Sequence, residues 1–389
     1  MKNAKKSETG KCIYEDSVKA SNHFSLDIYK ETSKIEKGNV LACPLSLEFI
    51  LAVTSTGSYG ETQEEIIDTL HLPNEISRVQ SGFKSLLSTI DKSNVVIATQ
   101  LFIGSEYQID QKFAKQADEN FQSGVQNVDF QNSPRNAVQA INSFISEKTN
   151  GKIQEIVQIG AIDQSTKLLL INTLYFKAKW ASPFKKDMTR TGAPFYLSND
   201  KKKTAKVDLM YQAGSFKYSN VEELGCDMIE LPFESNKYKM VIILPKEIEG
   251  LSELESTMKE DPNFFQNFDD LQTRKVEITL PKMKVLVNTD FKDVLKKLGV
   301  QKVFHQSADM YGIVENDIGK LKVDSVVQKV FFNVDEDGAE AAAATSTSVS
   351  QRRGADDIVI FTADHPFLFA IVQTSNNLVV FQGRFNKPA

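Results

Sequence analysis

The stretch Glu336-Asp337-Gly338-Ala339-Glu340-Ala341-Ala342-Ala343-Ala344-Thr345-Ser346-Thr347-Ser348 decides how the rest of the chain is read. It holds no proline and no aromatic residue, and after Gly338 only Glu340 is charged. Successive side chains of an extended strand point to opposite faces. On that period Ala339, Ala341, Ala343, Thr345, Thr347 and Val349 share one face, and Glu340, Ala342, Ala344, Ser346, Ser348 and Ser350 share the other. The first face is small and nearly apolar; the second carries the polar groups. A loop of this kind can become the middle strand of a sheet, where proline is excluded and bulky or charged inward residues clash. The competing reading is a flexible Ala/Ser linker.

Gln351-Arg352-Arg353-Gly354-Ala355-Asp356-Asp357 follows as a polar tip with two adjacent arginines. Proteolysis concentrates at exposed tips, and arginine is what the acidic specificity pocket of a trypsin-type protease selects. Downstream stands Asp364-His365-Pro366-Phe367-Leu368-Phe369. The run from Glu336 to Thr345 and this second run, in this order and at this separation, resemble the two most specific signatures of the serpin family. Asn39–Ser46, Asn172–Trp180 and Phe381–Phe385 are similar to further serpin segments, so the resemblance spans nearly the whole chain.

The remaining composition narrows the alternatives. A chain of 389 residues has ample length for a large core. A formal charge of −5 argues against a general nucleic-acid binder. No apolar run approaches a membrane span. Cys12, Cys43 and Cys226 are an odd set without metal-type spacing, so no disulfide framework is expected. His23, His71, His305 and His365 show no paired metal spacing, and Gly57-Ser58-Tyr59-Gly60 is not a nucleophile elbow. No phosphate loop appears, and an enzyme is not expected.

Apolar periodicity predicts helices over Tyr14–Ile35, Ser46–Thr56, Glu61–Leu70, Glu75–Ile90, Gln111–Phe121 and Ser133–Thr149. Strands are predicted over Lys167–Lys179, Cys226–Phe233, Tyr238–Leu244, Val276–Leu286 (interrupted at Pro281), Val323–Val334, Pro366–Thr374 and Leu378–Phe385. Helices mainly precede strands, which indicates α+β.

The serpin resemblance implies one domain over 1–389, with three β-sheets, eight or nine helices and an exposed reactive-centre loop at about 336–360. It implies a suicide-substrate inhibitor of a trypsin-like serine protease. The protease attacks the loop and forms an acyl-enzyme; residues 339–350 then enter the central sheet and drag the attached protease with them. Arg352–Arg353 is the expected reactive bond, with Arg353–Gly354 the alternative register. The hinge would be Glu336, Gly338, Ala339, Glu340, Ala341, Ala342, Ala343, Ala344 and Thr345, and the sheet-opening region Ser46, Asn172, Trp180 and Gln328. Three positions depart from the common serpin pattern. Ala339 replaces Thr or Ser, Cys43 replaces Ser, and Gln328 replaces a His of many relatives; the last is expected to alter loop release without abolishing inhibition.

Lys177, Lys179, Lys185, Lys186, Arg190, Lys201, Lys202, Lys203 and Lys206 face only Asp187 and Asp200 within residues 177–206. A solvated face is one reading of this run; a heparin-like sulfated polysaccharide site, as some serpins have, is the other. The helix that most often serves serpins here carries only Arg78 and Lys84, with Lys92 just beyond. No cofactor is required. The hinge wording most resembles arthropod serpins that restrain clip-domain protease cascades in haemolymph, including Toll activation and melanisation. It thereby implies an extracellular monomer whose signal peptide is absent from this chain, with an intracellular role left open. A non-inhibitory serpin-fold carrier or storage protein is the alternative, and a trypsin substrate with an inert loop is a third.

Overall fold

Proline opens two of the helices, at Pro44 and Pro134, where a missing N–H leaves no bond unmade. Asp110 caps a third by accepting the Phe113 N–H at 2.7 Å. The computed structural model describes residues 2–200, 202–258, 264, 271–316, 320–339 and 358–388. The expected hinge residues Glu340, Ala341, Ala342, Ala343, Ala344 and Thr345, the reactive pair Arg352 and Arg353, and Lys201 lie outside the described residues.

Eight α-helices occur among the described residues: α1 Lys2–Ile35, α2 Pro44–Thr56, α3 Gly60–Thr69, α4 Ile76–Thr89, α5 Gln111–Phe121, α6 Pro134–Lys148, α7 Leu251–Met258 and α8 Lys292–Leu298. The strands begin with β1 Val40–Ala42, β2 Val95–Gly104, β3 Ser123–Val128, β4 Leu168–Phe176, β5 Ala178–Lys179, β6 Arg190–Tyr196, β7 Thr204–Val221 and β8 Cys226–Pro232. They continue with β9 Tyr238–Pro245, β10 Gln272–Pro281, β11 Met283–Asp290, β12 Val323–Asp335, β13 Gly338–Ala339, β14 Val359–Thr362, β15 Phe367–Gln373 and β16 Val379–Phe385. The architecture is α+β, as expected. Among the described residues the strands join into two hydrogen-bonded sheets where three are expected. The cause is β7, which pairs in turn with β6, β10 and β8 along its 18 residues and so links strands that would otherwise form separate sheets.

Two interleaved compact units divide the chain. The first comprises Met1–Thr32, Cys43–Tyr175 and Leu286–Phe331. Its strands run β3–β2–β4–β12, with β11 beyond β12. Every residue of β4 is buried, as a parallel strand covered on both faces requires. β12 runs parallel to it, Leu168 opposite Val323 through Tyr175 opposite Phe331. Val138, Ile141 and Ile145 of α6 pack with Leu169, Ile171, Val327 and Phe331 over one face. Val326, Gln328 and Val330 alternate with these and are buried on the other face.

The second unit comprises Ser33–Ala42, Phe176–Val285 and Phe332–Ala389. Its main sheet runs β1–β16–β15–β9–β8–β7–β10–β14, and β9, β15 and β16 are buried throughout. The Asp364-His365-Pro366 signature anchors the entry to β15. His365 Nε2 lies 2.7 Å from the Pro245 carbonyl, and Nδ1 3.0 Å from Asp364.

Candidate functional site: a closed seam and its hinge

β4 and β12 pair directly, so no strand lies between them among the described residues. Asn172 stands opposite Gln328 in this seam. Both are buried, as are Ser46 and Cys43 at the start of α2. Gln328 Oε1 accepts the Cys43 N–H at 3.0 Å. Its Nε2 donates to the Cys43 carbonyl and Asn172 Oδ1, each at 2.8 Å, and to Ser46 Oγ at 3.0 Å. Ser46 donates to Asn172 Oδ1 at 2.9 Å, and Asn172 Nδ2 to the Val327 carbonyl at 3.3 Å. The amide thus closes a network that a side chain with one polar type would leave open. Cys43 takes part through its backbone; burial pushes its thiol up to about 12, which leaves it unreactive.

In the second unit, β13 lies between the end of β12 and β5. Ala339 pairs with Val334 and with Ala178, and Gly338 pairs with Asp335 and with Lys179, all antiparallel. Gly338 has φ +141°, and a Cβ there would fall 2.2 Å from the Ala178 carbonyl oxygen and 2.6 Å from Lys179 Cα. Only glycine fits. Ala339 is fully buried.

Trp180 grips the turn before β13. Its backbone N–H donates to the Asp337 carbonyl at 3.1 Å and its indole N–H to the Asp335 carbonyl at 3.0 Å. Its ring stacks on Phe233 at 4.6 Å. Glu336, 5% exposed, is held by Lys282 at 2.8 Å and by the Thr189 hydroxyl at 2.7 Å. Burial alone would raise its pKa; the Lys282 and Thr189 contacts outweigh burial and hold the carboxyl below the ordinary glutamate value. Lys186 pairs with Asp337 at 2.7 Å.

A family model described as Serpin (serine protease inhibitor) matches residues 19–388. The chain belongs to the serpin family. It is 33% identical over 382 residues to the human leukocyte elastase inhibitor, covering 95% of this chain and 98% of that protein. It is 32% identical to Drosophila melanogaster serine protease inhibitor 42Dd, covering 97% and 99%. The crystal structure of Serpin48, described as a highly specific serpin of the insect Tenebrio molitor, superposes with a TM-score of 0.87 at 34% identity, covering 96% and 98%.

In this serpin Ser46, Asn172 and Gln328 meet in one cluster, and Trp180 binds the Asp335 and Asp337 carbonyls on either side of Glu336, next to Gly338, in the other. The described residues of the 177–206 run, by contrast, do not gather at one place. Lys186 pairs with Asp337, and Lys179 belongs to β5 beside Gly338. Arg190 opens β6, whereas Lys202 and Lys203 sit in the turn beyond Tyr196. At about 3.3 Å per strand residue, that turn is roughly 20 Å from Arg190. Lys177 and Lys185 are exposed. Arg78 is paired with Asp16 at 3.3 Å. Sequence reading missed Lys282, Thr189 and Phe233. Each comes from a segment far from Glu336 or Trp180 in the chain, and none stands in a recognisable motif.

No helix of the described residues is long and apolar enough to cross a membrane. Among the described residues no group of three or more His, Cys, Asp or Glu could hold a metal ion.

Proposed function

We propose that this serpin is a suicide-substrate inhibitor of a trypsin-like serine protease, cleaved at Arg352–Arg353 and consumed when residues 339–350 enter between β4 and β12. The agreement of two registers carries this reading. Continued from Ala339 opposite Val334, a strand antiparallel to β12 brings Ala341 to Phe332, Ala343 to Val330 and Thr345 to Gln328. Continued from Ala339 opposite Ala178, the same strand brings Thr345 to Asn172. Gln328 and Asn172 are already partners in the closed seam, so both extrapolations reach one level.

The faces agree as well. Ala339 shares the buried face with Val334, which assigns Ala341, Ala343, Thr345, Thr347 and Val349 to that side. These are the small residues. Each new ladder bond contributes about 1 kcal/mol net, so the inserted strand outweighs the opened seam by forming ladders on both sides. The residues at these inward positions argue against the carrier or storage alternative, which needs no inserting hinge.

The hinge wording supports an extracellular monomer restraining a clip-domain protease cascade of the Toll and melanisation type, and the likeness to the Drosophila and Tenebrio proteins supports kinship with insect serpins. A heparin-like polysaccharide would engage the 177–206 run in part, through Lys202, Lys203 and their neighbours.

Mixing the protein with trypsin, followed by a denaturing gel and mass mapping of the cut, tests the reading. A stable covalent band with release at Arg352–Arg353 is expected. Cleavage without that band, and without gain in heat stability, would refute inhibition.

A further inference from the structure

A cavity of about 300 Å³ in the second unit is lined by Gly192, Lys206, Asp208, Lys282, Lys284 and Phe385, among others. Two pairs of alternate residues build it: Lys206 and Asp208 on β7, and Lys282 and Lys284 where β10 passes into β11. The Lys282 N–H donates to the Asp208 carbonyl at 2.8 Å, which sets the two segments side by side. Three lysines and one aspartate line the space. The carboxylate is engaged, since Asp208 Oδ1 accepts the Gly192 N–H at 3.1 Å. Among the described residues neither Lys206 nor Lys284 forms an ion pair.

We propose that this cavity binds a compact anion bearing phosphate or sulfate groups, and that the bound anion competes with Glu336 for the Lys282 ammonium. The volume lies at the lower end of the roughly 300–1,000 Å³ of ligand sites, room for one or two tetrahedral oxyanion groups. Phosphate and sulfate oxygens accept charge-assisted bonds from several amines at once, which relieves the repulsion among three lysines. Lys282 belongs to both arrangements, because its ammonium lies 2.8 Å from Glu336. Drawn into the cavity, it leaves a buried carboxylate held by the Thr189 hydroxyl. A buried charge stripped of its partner moves toward water, and Glu336 sits between Asp335 and Asp337, whose carbonyls Trp180 grips. Cavity occupancy is thereby coupled to the hold on the hinge. The coupling goes beyond the inhibitory reading and does not depend on which protease is the target.

Trp180 is the chain's single tryptophan, so its emission reports the hinge directly. The test titrates the full chain with inorganic pyrophosphate, and separately with a heparin-derived disaccharide, at constant ionic strength. Binding is followed by calorimetry and by Trp180 fluorescence. Saturable binding with an emission change is expected. Lys206→Ala combined with Lys284→Ala, which leaves the Lys282–Glu336 pair intact, should weaken it about tenfold or more. Glu336→Gln removes the competitor and should tighten it. A response to pyrophosphate alone, or to the disaccharide alone, supports the site and names its source. Absence of binding to both probes, or undiminished binding by the double variant, overturns the site. Binding that leaves Trp180 emission unchanged, or equal affinity in Glu336→Gln, overturns the competition. Thermal melting of each variant verifies that it is folded. No protease enters the experiment, so its failure stands apart from failure of the inhibitory reading.

Discussion

Replacing Gln328 by glutamate changes one NH2 into an oxygen and leaves no cavity. In the native seam that NH2 faces three acceptors, the Cys43 carbonyl, Asn172 Oδ1 and Ser46 Oγ. A carboxylate there would meet them oxygen to oxygen, in a residue only 2% exposed. The side chain therefore takes up a proton and donates through a single O–H. Protonating a group with an ordinary pKa of about 4.3 costs about 4 kcal/mol at pH 7 and about 1 kcal/mol at pH 5. Losing one donor adds about 1 kcal/mol at either pH. Unfolding entropy near 2.1 cal/mol/K per residue gives about 0.8 kcal/mol/K for this chain. The melting temperature should thus fall by about 6 °C at pH 7 and about 2 °C at pH 5. Calorimetric or circular-dichroism melts of Gln328→Glu and the parent, at both pH values and one scan rate, measure this. Equal shifts at both pH values, or no shift, would refute the claim that Gln328 is the donor closing the network.

Three further outcomes are expected. Gly338→Ala places a Cβ 2.2 Å from the Ala178 oxygen at φ +141°; β13 should be lost, with a red shift of Trp180 emission, and unchanged emission would contradict the pairing. Glu48, fully buried on α2, has its carboxyl pushed by burial from 4.5 up to about 8. Its contribution is fully present below pH 4.5 and is lost as pH rises toward 8, so Glu48→Gln should be more stable than the parent by about 3 kcal/mol at pH 7 and equal to it near pH 4; parallel denaturant titrations across this range decide. On the proposed insertion, Ala343→Glu would fall on the face that Ala339 shares with Val334 and should give cleavage by trypsin without a covalent complex, whereas Ala342→Glu on the opposite face should keep most of the covalent complex on a denaturing gel.

Local pattern carried much of this fold. The α5 boundaries agree to the residue, and Pro281 ends β10 where strand pattern was expected to break. Those signals sit within a few residues of what they specify. β2 and the 18 residues of β7 escaped notice. β2 is almost wholly buried and lacks alternation, while β7 mixes charged and apolar residues across several pairing partners. The candidate site divides the same way. Residues 340–345 lie outside the described residues. Gly338 was legible because the close approach of the Ala178 and Lys179 backbone admits only glycine. Lys282 was not, since its partner Glu336 is remote in sequence and a lysine after a proline carries no distinguishing neighbour.

Ala339, buried opposite Val334, separates two kinds of selection acting on one loop. On the proposed insertion, odd positions from 339 to 349 would answer to the interior of this molecule and tolerate little beyond small side chains. Arg352 and its neighbours would answer, on the same reading, to a cleft on another protein. A lineage can therefore retarget the inhibitor by rewriting the tip while the spring beneath it stays as it is, and a designer can do the same.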